Sequence, residues 1–100
     1  MKIQVVTAAG KQRNYFINWA YKHKSNTVET YCNIFEDKEL ISKGKTYVHK
    51  GDSFEKKFGR KVALAKALKN LSDESALPYI SKSERTQIWN TYRSIVNDKK

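Results

Sequence analysis

Cysteine, histidine and proline are scarce in this chain of 100 residues. Cys32 is the single cysteine, so an internal disulfide cannot form. His23 and His49 are the only imidazoles, and no cysteine or histidine has the spacing of a zinc site. We therefore expect no metal and no cofactor, and the simplest interpretation of Cys32 is a half-buried core thiol.

Long apolar runs and enzyme motifs are missing as well. No segment approaches the roughly 18 apolar residues of a membrane span, and the first residues lack the apolar stretch of a secretory signal. The sequence has no nucleophile beside a base, no paired carboxylates and no glycine-rich phosphate loop. We expect a soluble, cytoplasmic, non-enzymatic protein without membrane contact, although side chains brought together only by folding could still form an active site.

Apolar residues are abundant enough for one globular domain. They make up 39% of the chain, and aromatic residues make up 12%. A chain of about 100 residues can bury one modest core, so we predict a single domain over residues 1 to 100. The formal charge of +10 favours polyanionic partners such as nucleic acid or acidic proteins.

Alternating side chains predict an antiparallel sheet over about residues 2 to 49. The sequence from Tyr15 to Lys22 has a period of two, the pattern of a strand with two distinct faces. Residues His23 to Asn26 suit a turn, and the alternation resumes in Thr27 to Phe35, so a hairpin is the simplest pairing. Ile3 to Thr7 and Leu40 to Val48 are expected to flank it, which gives a three- or four-stranded meander.

Two capping boxes predict helices in the second half. Asp52 with Glu55 and Ser81 with Glu84 have the spacing that opens a helix. We predict helices over about 53 to 71 and 82 to 97, packed on one face of the sheet in an α+β fold. The expected core residues are Ile17, Trp19, Phe54, Phe58, Leu64, Leu68, Ile88, Trp89 and Tyr92.

Cations cluster where the first helix should begin. Positive charge at a helix N-terminus is disfavoured by roughly 0.3 to 1 kcal/mol per residue, and these cations also form like-charge i, i+4 pairs. Gly59 lies among them and destabilises a helix by roughly 1 kcal/mol relative to alanine. A glycine at this position would be explained if another backbone or a ligand comes close to the helix there. Several residues that each destabilise a helix and lie close together are typical of a functional site. The predicted anion-binding residues are Lys50, Lys56, Lys57, Gly59, Arg60 and Lys61.

The competing interpretation is that these cations only solubilise an exposed helix. Asp52 and Glu55 already complement the helix dipole, and a charge run usually has no further role. We place anion binding slightly ahead, with Arg60 as the strongest single residue because its guanidinium can grip a phosphate with two hydrogen bonds.

A fairly specific pattern covers about half of the chain, from Tyr47 to Tyr92. It consists of Gly51-Asp52, Phe54, Lys56-Lys57, Gly59-Arg60-Lys61, Ala63-Leu64, Ala67-Leu68, Arg85, Ile88-Trp89 and Tyr92. This pattern resembles small uncharacterised proteins of tailed bacteriophages. The resemblance implies a phage-encoded accessory protein in the bacterial cytoplasm, where such proteins commonly bind nucleic acid or block a host enzyme or defence system. It brings no site residues with it.

Two function hypotheses follow. In the first, the protein binds nucleic acid or phosphorylated ligands through the cationic helix, and Tyr15, Trp19 or Tyr21 stack on bases if they are exposed. An aromatic stripe at strand spacing is more often core. In the alternative, the protein is an inhibitor or adaptor that docks on an acidic surface of a host protein. The oligomeric state stays open.

Overall fold

The computed structural model describes residues 1–49 and 56–97, and within these it leaves the side chains of residues 49, 56, 57, 96 and 97 undescribed. Four strands precede two helices, as predicted: Lys2–Val6 (β1), Gln12–His23 (β2), Thr27–Glu36 (β3), Glu39–His49 (β4), Lys56–Lys69 (α1) and Lys82–Asn97 (α2). The α+β class is confirmed. The Asp52–Glu55 capping box and the predicted helix start near residue 53 lie outside the described residues.

The sheet is an antiparallel meander in which each strand pairs with its sequence neighbour, in the order β1-β2-β3-β4. The predicted turn joins β2 to β3, where the Lys24 amide donates to the Thr27 carbonyl at 2.8 Å. A two-residue turn joins β3 to β4, and its residues Asp37 and Lys38 have φ values of 51° and 69°. Two positive φ angles are the mark of a type I′ turn, which matches the twist of a hairpin.

Both helices pack on one face of the sheet, which we call the inner face. There α1 lies over β3 and β4, whereas α2 lies over β1. The core between sheet and helices is apolar and contains Ile17, Cys32, Ile34, Leu64, Leu68 and Ile88, each at most 2% exposed. Neither helix, over the described residues, is long and apolar enough to cross a bilayer.

A polar network fixes the start of α2 against the sheet. The predicted capping box is confirmed, because the Ser81 amide donates to Glu84 Oε2 at 2.8 Å and the Glu84 amide donates to Ser81 Oγ at 3.3 Å. Arg13 on β2 then bridges Glu84 and Glu36 at 2.9 and 2.8 Å. Hydrogen bonds to Glu36 and Glu84 raise the pKa of Arg13. α2 spans the predicted residues 82 to 97, and these contacts hold its first turn on the sheet.

Among the residues that the structure describes, the predicted core is confirmed except at Phe58. Ile17, Leu64, Leu68, Ile88 and Tyr92 are buried, and Trp19 and Trp89 are partly buried against the same core, whereas Phe54 lies outside the described residues. Phe58 is 68% exposed. The reason is that α1 turns its smallest residues, Gly59, Ala63 and Ala67, to the sheet together with Leu64 and Leu68. This rotation carries Phe58 and Ala65 outward.

Candidate nucleic-acid interface

The second face of the sheet, which we call the open face, carries neither helix. Strand pairing aligns its side chains in rows, so that Phe16 is opposite Phe35, Asn18 is opposite Asn33, and Ala20 is opposite Tyr31. Lys43, Lys45 and Tyr47 of β4 continue these rows, and Lys2 and Gln4 of β1 close the other side. Side chains on this face are exposed or half-buried except for Glu29.

Three aromatic sites span the open face. Phe16 and Phe35 form a tilted pair with ring centroids 6.2 Å apart, and Phe16 is 42% exposed. Tyr31 is half-buried and lies four residues before Phe35 on β3, which corresponds to roughly 13 Å along a strand. Tyr47 at the far end is 63% exposed. These rings offer flat, accessible surface on which planar groups can stack.

Lysines surround the central ring. The ammonium nitrogens of Lys43 and Lys45 lie 5.1 and 5.8 Å from the Tyr31 ring centroid, within cation–π distance. Lys45 also pairs with Glu29 at 2.6 Å, and Lys24 pairs with the same carboxylate at 3.1 Å. These ion pairs, that with Lys45 first, lower the pKa of Glu29 to about 2. Because two cations surround one acid, this part of the open face stays positive.

Amide side chains lie between the aromatic sites. Asn33 donates to Asn18 Oδ1 at 3.0 Å across the β2–β3 pair. Next to Phe16, a shallow hollow of about 380 Å³ opens at the β1–β2 end of the face, and we call it the Phe16 pocket. Lys2, Gln4, Asn14, Phe16 and Asp37 are among its lining residues. Amides can donate and accept hydrogen bonds, as recognition of base edges requires.

The predicted stacking residues Tyr15, Trp19 and Tyr21 lie on the inner face, not on the open face. Tyr15 is 2% exposed within the core, and burial raises the pKa of its hydroxyl. Trp19 packs its ring at 5.8 Å from that of Tyr92 and donates its indole N–H to the Arg60 carbonyl at 3.1 Å. Tyr21 shares this inner face and is half-buried. The face of β2 with the larger aromatic and apolar side chains packs against the helices. The alternate side chains, which include Phe16 and Asn18, face solvent.

A sequence signal for the open face does exist. A turn at residues 24 to 26 fixes the register of the hairpin, and that register alone sets Phe16 opposite Phe35 and Asn18 opposite Asn33. Matched aromatic and amide pairs on one face of a hairpin are thus a pattern in the sequence that could have pointed to the open face as a candidate site.

The structure only partly describes the predicted cationic cluster of α1. Lys50 and the side chains of Lys56 and Lys57 lie outside the description. Arg60 is half-buried and Lys61 is exposed, both on the helix side of the sheet, away from the open face. The role predicted for Gly59 is wrong in one respect: the group that comes close is Thr30 of the protein's own sheet, whose Oγ1 would lie 2.9 Å from an added Cβ.

Lys61 belongs to a second surface, formed by α1 and α2. A shallow groove of about 350 Å³ is lined there by Phe58, Val62, Ala65 and Trp89, with Lys61, Lys66 and Lys69 around it. We call it the Phe58 groove. Among the residues that the structure describes, its lining contains three cations and no acid, so the groove combines apolar surface with positive charge.

Other site types find no support in the described residues. Over residues 1–49 and 56–97, no group of three or more histidine, cysteine, aspartate or glutamate side chains could hold a metal ion. Cys32 is fully buried, and burial raises the pKa of its thiol to about 12. Comparison of the chain with protein-family models, curated proteins and solved structures found no match.

Proposed function

We propose that this protein is a non-enzymatic, single-strand nucleic-acid-binding protein that uses the open face of its sheet. The observation that carries the proposal is the juxtaposition of Tyr31 with Lys43 and Lys45, at 5.1 and 5.8 Å, on a sheet face without a helix. Bases stack on such rings while the ammonium groups contact phosphates, the combination that single-strand binders use.

The charge and the resemblance support the same conclusion. A net charge of +10 attracts any polyanion, and small proteins of tailed bacteriophages commonly act on nucleic acid. We therefore propose the bacterial cytoplasm as the place of action. A sheet face with accessible aromatic rings suits unpaired strands better than duplex DNA, because paired bases do not expose their ring faces.

Fluorescence anisotropy with a labelled single strand of about 12 nucleotides tests the proposal. Tyr31→Leu and Phe35→Leu remove a stacking ring and keep an apolar side chain, so each should weaken binding about 5- to 100-fold. Phe58→Leu makes the same change on the helix side and should leave binding unchanged. Equal affinity for all three variants, or no binding by the wild-type protein, would refute the proposal.

The Phe58 groove favours a second candidate function, the docking of an acidic segment of a host protein, as an inhibitor or adaptor does. A 68% exposed Phe58 between lysines is the kind of anchor found at interface hot spots. In nuclease-treated bacterial lysate, the wild-type protein should recover a stoichiometric partner, and Phe58→Ala with Lys66→Glu should lose it. A partner retained by this double variant would refute docking at the groove.

A further inference from the structure

We propose that the Phe16 pocket binds one guanine base of the bound strand, an inference that rests on the nucleic-acid binding proposed above. The pocket lies at the β1–β2 end of the open face, and its volume of about 380 Å³ leaves room for one planar base beside Phe16. A base that has left the stack is recognised by its ring face and its polar edges together. The pocket offers both kinds of contact.

Asp37 determines which base edge fits. Its side chain is exposed and makes no hydrogen bond or ion pair with any residue that the structure describes. An ionised carboxylate repels phosphate because both groups are negatively charged. It only accepts hydrogen bonds, so its partner on a base must be an N–H donor. Guanine presents two adjacent donors, N1–H and the N2 amino group, whereas each other common base presents a single donor group on this edge. A carboxylate can therefore make two parallel hydrogen bonds with guanine alone.

Lys2 supplies the complementary group. Lys2 is exposed and lines the same pocket. Donation from lysine to guanine O6 and N7 is among the commonest specific base contacts. Gln4 and Asn14 can each donate or accept. A pocket with an acceptor-only group and a donor-only group matches guanine, the base that carries paired donors and paired acceptors.

The backbone at Asp37 permits a clean test. Asp37 has a φ of 51° in the first central position of its turn, a conformation that asparagine adopts at least as readily as aspartate. Asp37→Asn therefore keeps the turn and the size of the side chain, and it replaces an acceptor-only group by an amide that both donates and accepts. Asp73→Asn makes the same charge change in the loop between α1 and α2 and serves as the matched control.

The experiment measures the affinity of the wild-type protein for oligothymidine strands of about 12 nucleotides that contain one central guanine, adenine or cytosine, or none. We expect about tenfold tighter binding of the guanine strand. Asp37→Asn should reduce this ratio to below about twofold, with the affinity for plain oligothymidine equal or slightly higher because a charge that repels phosphate is lost, and Asp73→Asn should keep the ratio.

The possible outcomes test the guanine assignment and the proposed single-strand binding separately. Equal binding of all four strands by the wild-type protein would overturn the guanine assignment and leave single-strand binding intact. A guanine preference that survives in Asp37→Asn would also overturn it. Binding of none of the strands would overturn the proposed function itself, and the pocket assignment with it.

Discussion

Glu29 is a buried acid on the open face, and neighbouring cations control its ionisation. Lys45 and Lys24 both pair with its carboxylate, which is 4% exposed. Their ion pairs lower its pKa from 4.5 to about 2. A lowered pKa means that the folded protein holds the carboxylate in its charged form more firmly than the unfolded chain does.

The pH dependence of stability should therefore reveal Glu29. Its contribution is fully present above pH 4.5, because the carboxylate is then charged in both states, and it is lost as the pH falls through about 2. Glu29→Gln should be less stable than the wild-type protein at neutral pH, and the difference should shrink through this window. Urea denaturation at several pH values measures it. Glu74→Gln makes the same change at an exposed position and serves as the control.

Gly59 should resist replacement by alanine, contrary to what an exposed helix would predict. An added Cβ would lie 2.9 Å from Oγ1 of Thr30, which is 1% exposed and has little room to move. Overpacking of about 1 to 3 kcal/mol outweighs the roughly 1 kcal/mol gain in helix propensity, so Gly59→Ala should lose about 1 kcal/mol of unfolding free energy. Urea denaturation measures the loss. Adding Thr30→Ala should restore part of it, and a stabilised Gly59→Ala would contradict the packing.

The backbones of α1 and β4 come very close to each other at Gly44. Gly44 of β4 faces α1, and a Cβ there would overlap the Ala63 carbonyl oxygen and lie 2.6 Å from the Ala67 amide nitrogen. Ser42 on the same strand donates to the Ala67 carbonyl at 2.7 Å. Helix backbone thus rests directly on strand backbone at this point.

Gly44→Ala should consequently be among the most damaging single changes in the chain. Both clashing groups are backbone atoms, which can yield only if α1 moves, so we expect a loss of about 3 kcal/mol or more. Lys43→Ala removes a larger side chain from the neighbouring position on the open face and should cost less than about 0.5 kcal/mol. Thermal unfolding followed by circular dichroism compares them, and similar melting temperatures would contradict this packing.

The elements themselves could be predicted from the sequence, whereas their orientations could not. Alternation in β2, the turn near Ser25 and the Ser81–Glu84 capping box are local signals, and each is confirmed. Both faces of β2 carry aromatic residues, so the sequence of the strand does not tell which face is buried. Packing against α1 and α2 decides that the face with Tyr15 and Trp19 is buried and that the face with Phe16 is open. The exposure of Phe58 likewise follows from the contact at Gly44, a residue distant in sequence.

On the scale of the whole molecule, positive charge is spread over two opposite surfaces. Lys2, Lys43 and Lys45 belong to the open face, and Arg60 and Lys61 lie on the helix side. Net charge alone cannot tell which surface binds a polyanion. The dependence of affinity on salt can, because each phosphate contact releases counterions.

Salt titrations should therefore assign the interface. Two phosphate contacts on the open face, from Lys43 and Lys45, predict that log K falls with log salt at a slope of roughly −1.4, and Lys43→Gln should reduce its magnitude by about 0.7. For a strand of about 12 nucleotides, Arg60→Gln with Lys61→Gln should leave the slope unchanged. A reduction of about 1.4 in this double variant would instead assign the phosphates to the cationic cluster of α1.

The order of the elements along the chain has a consequence for synthesis. Because the ribosome makes the meander before either helix, the nascent sheet has nothing to cover Ile17, Cys32 and Ile34 until residues such as Leu64 and Leu68 emerge. During that interval its inner face is an exposed apolar surface. Chaperones bind such surfaces, and aggregation starts from them. The helices are therefore the last part of the core to be made, and a chain that ends just after β4 would leave the apolar inner face of the sheet exposed to aggregation.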